Sequence, residues 1–415
     1  MTLFANRLRM ALDATGQPFW RRAVAAAVFL AVAAAIWLPC LHFLYAPDLR
    51  DYLSPGKVSP MARKLAARHL ALWTDPALRA AEIGRMRARC QEWDFMGRTF
   101  LVLALSNMAL REPAEKAPCL ATVDAIIDET LRIETEKGFT FFLMDYGKDV
   151  SRFRRKPPRS IFVDGEVALM LGARRLVEEK TEYREKMLEL IGIMEERMAQ
   201  EPVMCAESYP DECWTFCNTV ALAAMKISDV LDGTDHTEFF RKWLETAKRS
   251  LVEPRTGILV SGFDLDGNVG DGPEGSTIWM AAHCLQLIDG EFARAQYALA
   301  RRQLGRSILG FGYAREWPKS YVGPKDVDSG VVVPGLGAGP SSSGFALMGA
   351  AAFGDEEFYA SLAASLGLCA YPSEKNGALR YCASNQVGDA VILYSMVLGP
   401  VWDKVRSKAD AGGRP

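Results

Sequence analysis

Beyond residue 55 the apolar positions recur at helical spacing almost throughout. Strand-like alternation is confined to GILVSGFDLDG at residues 257–267, which predicts a short hairpin arm at most. The helices sort into two kinds. Six carry small apolar residues on every face: EWDFMGRTFLVLALSNMAL (92–110), SIFVDGEVALMLGARRL (160–176), PDECWTFCNTVALAAM (210–225), PEGSTIWMAAHCLQLID (273–289), PSSSGFALMGAAAF (340–353) and SNQVGDAVILYSMVLG (384–399). Each is entered from a loop rich in Gly, Pro, Asp or Ser. Between them run charged amphipathic stretches such as residues 179–200, 236–251 and 290–305. A helix that is apolar all round is buried, whereas one with a charged stripe faces water. The alternation therefore predicts an all-α fold, an (α/α)6 barrel of six inner and six outer helices, with residues 98–110, 167–176 and 219–227 in the inner ring. The helices of a solenoid would not divide so cleanly into two sets.

The amino terminus follows a different pattern. Residues 23–45, AVAAAVFLAVAAAIWLPCLHFLY, carry no formal charge apart from what His42 can take up. That length spans a bilayer as a helix. Arg7, Arg9, Arg21 and Arg22 precede it, so the positive-inside rule keeps residues 1–22 in the cytoplasm and exports the rest. A cleaved signal peptide is the rival reading, with Ala33–Ala34–Ala35 as its cleavage site, but the apolar run continues well past it. The expected organisation is a cytoplasmic segment (1–22), a single transmembrane anchor (23–45) and an exported barrel domain (55–405).

Composition changes this picture little. The chain has 415 residues, 49% hydrophobic and 24% charged, with a net charge of −2. That balance gives no electrostatic footprint for nucleic acid, and the basic run SRFRRKPPR (151–159) reads as a solvated loop. A homo-oligomer is compatible with it. The nine cysteines are scattered and odd in number, which is no stapled scaffold.

The candidate chemistry gathers where loops enter the inner helices. Acids recur there: Asp94, Asp164 with Glu166, Asp211 with Glu212, and Asp271 with Glu274. Each alone is an ordinary helix cap, since the helix dipole favours a carboxylate at its amino end. Several converging on one concave mouth make a site. Cys213 and Cys217 are spaced to share a helix face, too far apart for a disulfide within a regular helix. Cys205 could pair with Cys213. With no CxxC and four histidines, no zinc site is expected, and DLDGNVGD (264–271) lacks the glutamate that completes a calcium loop. Cys217 is open to two readings: a thiol acidified by the helix dipole, or one kept protonated by the neighbouring acids.

YPDECWTFCNTVAL (209–222), followed by DVLDGTDHTEFFRKWLE (229–245) and LVEPRTGILV (251–260), resembles the linalool dehydratase/isomerase family. IFVDGEVALMLG (161–172), EWDFMGRTF (92–100) and GALRYCASN (377–385) extend the likeness loosely over residues 94–401. The resemblance implies a periplasmic (α/α)6 enzyme that dehydrates and isomerises a small terpene alcohol without a cofactor. It places Asp94 on the family's active-site aspartate and Cys217 on one of its two active-site cysteines. The other cysteine falls on Ser208, the histidine on Glu166 and the tyrosine on Phe100.

An altered site of this kind holds two carboxylates, Asp94 and Glu166, with Asp211, Glu212 and Cys217 beside them. Two acids in different surroundings can divide into a charged base and a protonated acid. Trp93, Phe100, Phe162 and Trp214, with Ser208 and Cys213, would then bind the substrate. The expected function is that of a membrane-anchored hydro-lyase or isomerase acting on a small hydroxylated, terpene-like or lipid-like molecule. One alternative is a glycan-active enzyme using Asp94 and Glu166. Another is an inactive binding or scaffold relative.

Overall fold

The structure is a computed structural model that describes residues 18–325 and 330–412. Arg7 and Arg9 lie outside the described residues. Helix α1 (Phe19–Leu41) stands clear of the rest of the chain and ends in a 3-10 turn at His42–Leu44. It begins four residues earlier than the apolar run and stops at Leu41, not at Tyr45. Pro39, which has no N–H to give to the ladder, occupies its last turn. A single turn, α2 (Leu49–Tyr52), then leads to α3 (Pro60–Thr74) and α4 (Pro76–Arg87). The starts of α3 and α4 are written in the sequence. Ser59 and Asp75 accept amide hydrogens of the first turns, and a proline follows each at the first helical position.

The barrel follows as α5 (Gln91–Arg111), α6 (Lys116–Lys137), α7 (Ile161–Val177) and α8 (Glu182–Ala199). Strand β1 (Cys213–Trp214) leads directly into α9 (Thr215–Asp232), and α10 (Thr237–Ser250) comes next. Strands β2 (Gly262–Phe263) and β3 (Val269–Asp271) precede α11 (Gly275–Leu285) and α12 (Gly290–Gln303). A hairpin of β4 (Gly305–Ile308) and β5 (Phe311–Ala314) leads toward α13 (Pro340–Phe353) and α14 (Glu356–Cys369). A second hairpin, β6 (Pro372–Lys375) and β7 (Ala378–Tyr381), leads to α15 (Gln386–Val397), and α16 (Pro400–Gly412) is the last element. The 257–267 stretch supplies β2, the middle strand of the small sheet β1–β2–β3, as its alternation suggested.

The six helices of small apolar residues form a closed ring: α5 packs on α7, α7 on α9, and so on through α11, α13 and α15 back to α5. This is the (α/α)6 barrel. The ring helices are parallel, and small residues set their spacing. Gly165 of α7 lies against the backbone of Ala221 of α9, and a Cβ at Gly172 would come within 2.8 Å of Ile227. The outer helices α6, α8, α10, α12 and α14 bury one stripe and return the chain to the start of the next inner helix. The outer cover over the α15–α5 seam comes from the amino-terminal side, as α3, which packs on α15 and α6. Helix α16 turns under the barrel against α5, α7 and α9, so it closes the far end. All inner helices therefore begin at one rim, the mouth.

Candidate functional site

The mouth is acidic above an aromatic floor. Phe100 of α5 and Phe216 of α9 both meet Phe345 of α13, with ring centroids 5.5 and 5.8 Å apart, and Phe100 also meets Tyr394 of α15 at 6.1 Å. Side chains from opposite walls touching in this way fill the barrel axis. Beside them, on the wall made by α5, α7 and α9, stand Glu92, Thr99, Glu166 and Cys217.

Glu166 sits in the second turn of α7 and is buried. The Thr99 hydroxyl donates to its Oε2 at 2.6 Å. Burial raises its carboxyl to about 8, the Thr99 bond pulls it back, and the nearby Glu92 pushes it further up. Burial thus favours the protonated carboxyl of Glu166 at neutral pH. Glu92, two turns before Thr99 on α5, accepts the Met144 amide at 3.0 Å and the Tyr146 hydroxyl at 3.5 Å. Burial raises its carboxyl too, opposed by these bonds and by Tyr209, and Glu212 adds repulsion.

Glu212 and Ser208 lie in the loop before α9, which is built to hold them. The buried Glu207 carboxylate takes three backbone amides, those of Arg154, Arg155 and Asp211, at 2.8, 3.0 and 2.8 Å. The Ser160 hydroxyl, at the start of α7, donates to the Ser208 carbonyl at 2.6 Å. Asn218 ties the Ala206 amide and the Trp214 carbonyl to the first turn of α9. Trp214 Nε1 donates to Glu212 at 2.6 Å. Cys217 is buried one turn below. Burial pushes its thiol well above the ordinary cysteine value, a bond with Ser208 opposes this, and Glu166, Glu92 and Glu212 push it higher still. Burial thus favours the protonated reading of Cys217 over the acidified one. Iodoacetamide at pH 8 is therefore expected to leave Cys217 unmodified while it alkylates the exposed Cys369 and Cys382, a difference that peptide mass spectrometry reads.

Several expected positions differ. Asp94 does not turn to the mouth. Its carboxylate is held by Arg98 Nε at 3.0 Å and Arg87 Nη1 at 3.2 Å, on the side of α5 that faces the outer layer. It lines a small gap there with His69, Trp73 and Gln386. The pair Asp94 and Glu166, on which the glycan alternative rested, does not face one cavity. Asp211 is exposed, with φ +59°, and pairs with Arg154 at 3.1 Å. Cys213 is not on the helix with Cys217. It lies in β1 and its Sγ is 3.0 Å from that of Cys205, because α9 starts only at Thr215. Asp164 is engaged by Arg159 and serves the wall. Phe162 packs between Phe95 and Tyr209, behind the mouth wall, and Trp93 is half-buried at the start of α5. Glu166, Glu212, Cys217, Ser208 and the floor residue Phe100 do gather. Glu92 joins them, although it had not been singled out.

The segment 165–387, more than half of the chain, matches the family model of linalool dehydratase/isomerase. Among solved structures, a GH76 α-mannanase of Bacteroides thetaiotaomicron is similar at 13% identity, with 75% of this chain and 87% of that one covered and a TM-score of 0.46. A GH76A α-1,6-mannanase of Salegentibacter is similar at 12%, covering 73% and 89%, with a TM-score of 0.47. Likeness at that distance says nothing of shared chemistry. The family model includes α7 from Gly165 on, the loop before α9 and α9 itself, which carry Glu166, Ser208, Glu212 and Cys217. The chain belongs to the linalool dehydratase/isomerase family.

Proposed function

We propose that the protein is a membrane-anchored acid–base enzyme that removes water from, or isomerises, a small hydroxylated apolar molecule. The observation that carries this is Glu166: a buried carboxyl bonded by Thr99 on the wall beside an apolar aromatic cluster, where burial favours its protonated form. Its proton goes to the substrate hydroxyl as the C–O bond breaks and water leaves. Glu92 or Glu212 then takes a proton from the neighbouring carbon, which completes a double bond; return of water at another carbon gives the isomer. The protonated thiol of Cys217 and the Ser208 hydroxyl hold the leaving oxygen. Phe100, Phe216 and Phe345 face the positive charge that develops on carbon, an arrangement that aromatic faces favour. No cofactor has a part in these steps.

The anchored, periplasmic placement belongs to the same proposal. The stretch Phe19–Leu44 is 26 residues long, long enough to cross a membrane, and none of it is buried in the protein. The full chain is expected to stay with the membrane after a high-salt wash and to leave it only with detergent.

The test is an assay of detergent-solubilised full chain against tertiary and primary allylic alcohols, with diene and isomer products read by gas chromatography. Turnover that falls by about 10²-fold in Glu92→Gln supports the reading. Release of sugar from a glycan panel, with no alcohol converted, would replace it with the glycan reading. A chain inert to both would be the scaffold relative.

A further inference from the structure

The mouth of the barrel and its far end differ in what they show to solvent. Outside α1 and its foot, every large hydrophobic side chain that is exposed among the described residues lies in a connection from an outer helix to the next inner one, on the mouth side. Tyr146 and Val150 are in the α6–α7 connection, and Val269 is in the α10–α11 connection. Val322 (77% exposed), Val331 (75%), Val333 and Leu336 stand between β5 and α13. Tyr371, 68% exposed, follows α14. The far-end turns after α5, α7, α9, α11, α13 and α15 show none among the described residues. Scattered exposed apolar residues need no explanation, but confinement to one end does.

The hairpin β4–β5 belongs to the same set and links it to the apolar helix. Its turn, Leu309–Gly310, has φ values of +53° and +86°. Such two-residue turns favour asparagine and glycine. Here a leucine occupies the first place, and both it and Ile308 are exposed. The foot of α1 rests on this hairpin. A Cβ at Gly310 would fall 2.3 Å from the His42 ring, the Tyr45 and Phe311 rings are 6.1 Å apart, and Tyr45 lies beside Gly367 in the last turn of α14. Phe43 and Leu44, exposed at that foot, continue the apolar surface. The basic run 151–159 lies on the same rim, in the α6–α7 connection. Asp211, Asp266 and Glu201 engage Arg154 and Arg155, and the exposed Arg152 and Lys156, opposed by the exposed Asp149, leave one net positive charge beside Val150.

We infer that the mouth-side rim docks on the bilayer in which α1 is anchored, with Ile308, Leu309, Val322, Val331 and Tyr371 at the acyl boundary and the 151–159 run at anionic headgroups. This rests on the anchored reading above. Apolar side chains next to basic ones at a helix-tethered surface are what an interface rich in anionic lipid binds. Such docking opens the barrel toward the phase in which an apolar alcohol is concentrated.

The experiment uses the full chain in vesicles of phosphatidylethanolamine and tritiated phosphatidylglycerol. The photo-cross-linking residue p-benzoylphenylalanine replaces Leu309, Val322 or Val331 on the rim, Asp235 or Glu179 at the far end, or Phe29 in α1, one at a time. The expected result is lipid label at the rim positions several-fold above the far-end positions and approaching that at Phe29. Label at Phe29 with rim and far end equal would overturn the docking face and leave the anchor standing. No label at Phe29 would overturn both. None of these outcomes depends on turnover, so failure here leaves the Glu166 reading intact.

Discussion

Glu166→Gln is expected to reduce turnover by roughly 10²- to 10⁴-fold, the usual worth of a positioned general acid. The amide is isosteric and still accepts from Thr99, so neither shape nor the 2.6 Å bond is lost; only the proton is. The wild-type rate should also fall as pH rises through about 8, because the group acts protonated and burial sets its value there. Stability supplies an independent check. The folded-state value is raised above the ordinary 4.5, so folding favours the protonated form. Below 4.5 both states hold the proton and the site adds no penalty. Between 4.5 and 8 the unfolded chain ionises while the folded one does not, and stability is lost until the folded carboxyl itself ionises. At pH 9 the Gln variant should therefore be the more stable protein, by an amount of the order of 5 kcal/mol at most for a 3.5-unit displacement. Thermal melts of the two proteins at pH 4 and pH 9 read the difference. A variant that melts alongside wild type at both pH values would deny Glu166 its buried proton and with it the acid role.

Why the barrel was legible and the site only partly so is clear on α5. The ring was readable because burial is a property of whole faces: a run such as LVLALSNMAL has no side that tolerates water. A site depends on which face one residue occupies. Glu92 and Asp94 are two positions apart, about 200° on a helix, and so look in nearly opposite directions. Glu92 and Thr99 share the face turned to α7 and the mouth; Asp94, Arg98 and Leu101 share the outward one, where Arg98 sits four residues on at ion-pair spacing. That spacing was visible in EWDFMGR and is the signal that could have exchanged the two acids. Cys213 shows the other limit. A two-residue strand pairing with Gly262 and Phe263, about fifty residues later, delays the start of α9 to Thr215, and no local pattern records so distant a partner. Glu212 and Cys217 lie in one continuous stretch, the loop and first turn of α9, and Glu166 in the second turn of α7, where acids at a helix entry could be read directly; Ser208 was marked only by the resemblance.

Asp94→Ala separates the outward face from the inward one. The resemblance makes Asp94 an active-site group; the structure makes it the counter-ion of two arginines. Arg98 is almost wholly buried and its Nε is 3.0 Å from Asp94, so removing the carboxylate strands a guanidinium with only Thr130 and a more distant Glu129 to answer it. Truncating one partner of a buried pair typically costs about 3–5 kcal/mol, most of it from the charge left behind. The expected result is a large drop in melting temperature, while the turnover of the protein that remains folded stays within a few-fold of wild type. The double variant Asp94→Leu with Arg98→Met removes the buried guanidinium and leaves only Arg87, which is partly exposed and still donates to the Phe141 carbonyl, so it should recover most of the stability. Activity lost in Asp94→Leu/Arg98→Met despite regained stability would return Asp94 to the chemistry. Stability that does not recover would mean that Arg98 has a second structural task, through Thr130 on α6, beyond neutralising Asp94. Recovery of both would leave Glu92, not Asp94, as the carboxylate that α5 contributes to the mouth.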